Sequence, residues 1–76
     1  MRDLIELIAK SLVDDPESVR VEQVENESTT LLELEVAPED VGRVIGRHGR
    51  TVQALRTILD TAGIKWNRDF SLEILE

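Results

Sequence analysis

The chain has no cysteine and no tyrosine, and only one histidine, one tryptophan and one phenylalanine among its 76 residues. Without cysteine there is no disulfide framework, no thiolate metal site and no thiol nucleophile. A single histidine argues against a histidine-based metal site. His48 also has no recognisable acid or nucleophile partner, so an enzyme is not expected, and no motif implies a cofactor. No apolar run approaches the roughly 20 residues of a membrane-spanning helix. The N-terminus carries no signal-peptide pattern, because Asp3 and Glu6 interrupt it. A cytoplasmic protein without membrane contact is the default expectation. The length suits one domain, residues 1–76, with a small core.

Positive charge is also scarce, with nine basic residues against sixteen acidic ones and a net charge of −7. That total argues against a nucleic-acid ligand at first sight, but the distribution argues the other way. Residues 43–68 hold six of the basic residues (Arg43, Arg47, Arg50, Arg56, Lys65, Arg68) and a single acid, Asp60. A positive segment on a negative body is the electrostatic footprint of a nucleic-acid binder. The acidic remainder keeps a small protein in solution and repels nucleic acid from the other faces.

The most informative stretch is Val44-Ile45-Gly46-Arg47-His48-Gly49-Arg50-Thr51. Two glycines bracket Arg47 and His48, and helical patterns lie on both sides. Before the glycines, Pro38 to Ile45 reads as helical. After them, Val52, Leu55, Ile58, Leu59 and Ala62 share one helix face. The Gly-x-x-Gly thus sits at a tight helix–helix junction, where glycine allows unusual backbone angles and close approach of another backbone. The first-turn N–H groups of the second helix lack intrahelical partners and face a positive dipole end, so a phosphate fits there. Arg47 and Arg50 add charge, and His48 adds two ring nitrogens. A lone Gly-x-x-Gly is weak, and two ordinary glycines at a helix corner would look the same. The flanking helices and the Val-Ile-Gly-x-x-Gly-Arg string raise its weight.

The rest of the chain supplies the frame. Met1 to Val13 reads as an amphipathic helix, with Met1, Leu4, Ile5, Ile8 and Leu12 on one stripe and Leu7 and Val13 widening it. Asp14-Asp15-Pro16 stops it. Ser18–Glu25 and Thr29–Val36 read as two strands of a hairpin around Asn26-Glu27-Ser28, with a bulge expected near Val24. Pro38 and the acids after it open the next helix. Gly42 lies inside that helix, allowing either close packing or close approach of a ligand. The helix after the motif is expected to end at Gly63, followed by a loop, Ile64–Asp69, holding Trp66. Phe70, Leu72 and Ile74 alternate with polar neighbours, so the chain ends in a third strand. One α+β domain of order αββααβ follows, its sheet covered on one face.

That order, and the Gly46–Gly49 string, resemble the type II KH RNA-binding module. The likeness extends over essentially the whole chain to the small single-domain bacterial KH proteins of the KhpA family. It is clearest at Ile5–Val13, Val36–Ile45 and Gly46–Leu59. The resemblance implies a three-stranded mixed sheet with three helices on one face. It implies a non-enzymatic single-stranded RNA-binding protein, an RNA chaperone or post-transcriptional regulator linked to cell elongation and division, whose loop clamps about four nucleotides. The residues carried over are Gly46 and Gly49 for backbone approach, and Arg47, His48 and Arg50 for phosphate, with Arg43 as a further RNA-binding residue. Val44, Ile45 and Val52 are carried over as the apolar groove floor. Single-stranded DNA is compatible, because a KH groove need not contact the 2′-hydroxyl. The resemblance also implies a homodimer, a heterodimer with a larger KhpB/Jag/EloR-like KH protein, or both. The competing reading is an interaction module whose main ligand is a protein, with weak or no RNA binding. Trp66 invites either base stacking or packing over the open end of the core.

Overall fold

Leu32, Leu34 and Val36 alternate with Glu33 and Glu35, and a strand with that period buries one face and wets the other. The computed structural model, which describes residues 1–76, builds the molecule on this strand. The elements run α1 (Arg2–Leu12), β1 (Arg20–Glu25), β2 (Thr29–Glu35), α2 (Val41–Ile45), α3 (Arg50–Trp66) and β3 (Asp69–Leu75). The sheet order is β1-β2-β3. β1 pairs antiparallel with β2, and β3 pairs parallel with it. This mixed sheet carries the helices on one face, the expected αββααβ arrangement.

The core lies between that face and the helices. Ile5 and Ala9 from α1, Leu32 and Leu34 from β2, and Leu55 and Leu59 from α3 are its centre. No helix is long and apolar enough to cross a membrane.

Three local expectations are corrected. First, the β1–β2 register runs unbroken from Arg20↔Glu35 to Glu25↔Thr30, so no bulge occurs at Val24. Val24 instead faces outward opposite Leu31, an apolar pair on the solvent side. Second, α3 does not end at Gly63 but continues to Trp66, and Asn67 takes the left-handed capping conformation at φ 52°. Gly63 serves packing instead: a Cβ there would overlap the carbonyl oxygen of Arg68. Third, the Pro38–Ile45 helix is split. A single 3-10 turn, Pro38–Asp40, precedes α2. Asp40 is buried rather than exposed at a helix end. Its carboxylate accepts the backbone N–H groups of Asp14 at 3.2 Å and Asp15 at 3.1 Å. A buried carboxylate needs such partners, and these bind the chain leaving α1 to the start of α2.

The outer sheet face is acidic. Glu22, Glu33 and Glu73 stand in register across all three strands. Like charges directly opposite one another work against the pairing. They also make this face hostile to a polyanion.

Candidate nucleic-acid interface

The Gly-x-x-Gly segment makes a sharp turn between α2 and α3. Gly46 has φ 80° and ψ 169°, a region essentially reserved for glycine. A Cβ at Gly46 would also collide with the Thr51 side chain and come within 2.8 Å of its backbone nitrogen. His48 and Gly49 follow at φ 58° and 73°, so the loop holds three positive-φ residues in four. The turn is closed by the Gly49 N–H donating to the Gly46 carbonyl at 3.1 Å.

This backbone pushes Arg47, His48 and Arg50 into solvent. None of the three makes an ion pair or a side-chain hydrogen bond, in a protein where Arg2, Lys10, Arg43 and Arg68 are all paired. α3 begins directly behind them, with no side chain capping its N-terminus. A positive dipole end and two unpaired guanidinium groups therefore converge on one point.

The other residues expected at the site lie differently. Arg43 turns away from the loop, pairing with Asp14 at 2.9 Å and Asp40 at 3.3 Å. Val44 is fully buried and Val52 nearly so, while Ile45 is half-buried. Val44 therefore supports the groove from below, and Ile45 is the member of the trio with surface to offer. Gly42 has open space above it, so packing does not require glycine there.

A groove lies between α3 and the edge strand β3. It holds a cavity of about 220 Å³ lined by Gln53, Arg56, Leu59, Asp60, Phe70, Ser71 and Leu72. Arg56 reaches across it to donate to the Leu72 carbonyl at 3.1 Å, which places that carbonyl on the free edge of β3. A larger cavity, about 580 Å³, lies farther along, at the α3–β3 turn. Nothing in the sequence pattern marks Arg56 or Asp60 as groove residues. Their spacing of four on α3 put them on one flank, but only the fold shows that this flank faces β3.

Trp66 sits about 24 Å along α3 from Arg50. It is more than half exposed and packs edge-on against Phe70, with ring centroids 6.2 Å apart. Arg68 is committed elsewhere. It donates to Thr30 Oγ1 at 2.6 Å and to the carbonyls of Asn26, Glu27 and Thr29, pinning the β1–β2 turn.

Comparison with known proteins concerns the chain as a whole. The family model for the KhpA/KhpB KH domain matches residues 2–74. The chain belongs to that family. It is 51% identical to RNA-binding protein KhpA of Clostridium perfringens over 75 residues, covering 99% of this chain and all of the relative. It is 49% identical to RNA-binding protein KhpA of Aquifex aeolicus over 76 residues, covering the whole chain and 96% of the relative. Among solved structures, a crystal structure of an Aquifex aeolicus Era variant bound to GDP.AlF4- superposes with a TM-score of 0.66. The identity there is 16%, over 96% of this chain and 28% of that one, so the likeness concerns the fold. A KhpA/KhpB KH domain is a non-enzymatic module, and the fold described above is the type II KH fold.

Proposed function

We propose that the protein binds single-stranded RNA through the Gly46–Gly49 loop. The observation that carries this is the set of unpaired cationic side chains, Arg47 and Arg50 with His48, over the uncapped start of α3. The relatives' name, RNA-binding protein KhpA, supports it. Phosphates of about four nucleotides lie on the loop, and bases enter the α3–β3 groove. Post-transcriptional control of cell elongation and division is part of the proposal and rests on the family resemblance. The double substitution Arg47→Asp, His48→Asp tests the site. Both side chains are exposed, and aspartate tolerates the left-handed backbone at position 48. The fold should be retained and RNA binding lost. Unchanged affinity would remove the loop from the site.

Self-association is a second component, alone or with a larger KhpB-like protein. Leu4 and Leu7 on α1 are 40% and 64% exposed, and Ile58 on α3 is 41% exposed. Arg2 anchors one flank of α1 to the Val21 carbonyl at the β1 edge. Arg56 anchors the corresponding flank of α3 at the β3 edge. Leu4, Leu7 and Ile58 lie on the opposite flanks, so apolar surface collects on the helical layer, as at a partner interface. Sedimentation should show the wild type as a dimer and Ile58→Asp as a monomer. A wild type that stays monomeric at every concentration would overturn this component.

A further inference from the structure

Asp60 is the one acid in the basic segment 43–68. It lines both cavities of the α3–β3 groove. An acid beside the path of a polyanion weakens backbone binding, so its place there suits a different contact. Arg56, four residues earlier on the same flank, could pair with it across one helical turn. That guanidinium instead donates to the Leu72 carbonyl. Arg68, also on the larger cavity, is committed to the β1–β2 turn and Thr30. The Asp60 carboxylate makes no ion pair and no hydrogen bond, and it is left free over the groove. Phe70, half-buried, lines both cavities beside it and offers an apolar side for a base. Asp60 stands about 15 Å along α3 from Arg50, within the span of a strand whose phosphates rest on the loop.

An ionised carboxylate only accepts hydrogen bonds. Cytosine presents an N4 amino donor and adenine an N6 amino donor, whereas the matching uracil position is a carbonyl acceptor. We propose that Asp60 is a specificity-determining residue, selecting bases whose exocyclic amino group faces the groove and rejecting uracil. This inference rests on the RNA-binding reading above. Cytosine and uracil make the cleanest comparison, because they are nearly the same size and differ in this donor.

The test is fluorescence anisotropy with short oligo(rC) and oligo(rU) of equal length, on the wild type and Asp60→Asn. The wild type should bind oligo(rC) tighter by about fivefold or more. Asp60→Asn should bring the ratio toward one, mainly by tightening oligo(rU), since the amide can donate to the uracil carbonyl. Its melting temperature should not change, because the side chain is exposed and unpaired. Equal binding of the two oligonucleotides by the wild type, or a ratio unmoved by Asp60→Asn, would overturn the inference and leave RNA binding intact. Binding of neither oligonucleotide would instead bring down the RNA-binding reading, and this inference with it.

Discussion

Gly46 is the least replaceable residue of the loop. Its backbone angles suit glycine alone, and the Thr51 side chain and nitrogen occupy the space a Cβ would need. Gly49 differs, because its φ is also positive but nothing lies within 4 Å of the Cβ position. Gly49→Ala should therefore carry only the left-handed backbone penalty, about 1–2 kcal/mol. That corresponds to a fall in melting temperature of roughly 4–8 °C per kcal/mol in a domain of this size. Gly46→Ala adds a collision, and about 2–4 kcal/mol is expected. Thermal melts of the two variants check the order, and equal shifts would contradict it. At this scale the sequence was informative where residues act locally. The spacing of Gly46, Arg47, His48, Gly49 and Arg50 was enough to place them on one turn. Arg43 was not legible in the same way. Its partner Asp14 lies far away in the chain, and only the tertiary fold brings them to 2.9 Å.

Among the elements, α3 shows how a punctuation residue can mislead. Glycine near the end of a helical pattern reads as a C-cap, yet Asn67 takes that role and Gly63 stays inside the helix. The Arg68 N–H donates to the Gly63 carbonyl at 2.9 Å, which folds the chain back over the glycine. Gly63→Ala separates the two roles. In an exposed helix interior the change would stabilise by about 1 kcal/mol. Here the added methyl meets backbone, so the melting temperature should fall, and a rise would contradict the close-approach role. The element order and the two hairpin strands were legible because their periods, 3.6 and 2, are written in the apolar residues. The bulge expected at Val24 is absent because an apolar residue on the wet face breaks the alternation without breaking the register. The split before α2 was hidden because Asp40 looks like any first-turn acid until the Asp14 and Asp15 N–H groups are seen to claim it.

The whole molecule is divided by charge. The outer sheet face carries Glu22, Glu33 and Glu73 in register, and the α2–α3 corner carries unpaired Arg47 and Arg50. Such a division steers a polyanion to one corner despite the net charge of −7. It also makes binding depend on few contacts, and hence on salt. For single strands the logarithm of the binding constant falls with the logarithm of salt by about 0.7 per phosphate neutralised. Two arginines on two phosphates give a slope near −1.4. The most direct measurement is anisotropy of a short unstructured RNA at two salt concentrations, with wild type and with Arg47→Asp, His48→Asp, and circular dichroism to verify the fold. Salt-dependent binding by the wild type, with a slope near −1.4 and lost in the folded variant, is the expected result. Equal binding by both proteins, or none by a folded wild type, would contradict the placement of RNA on this loop.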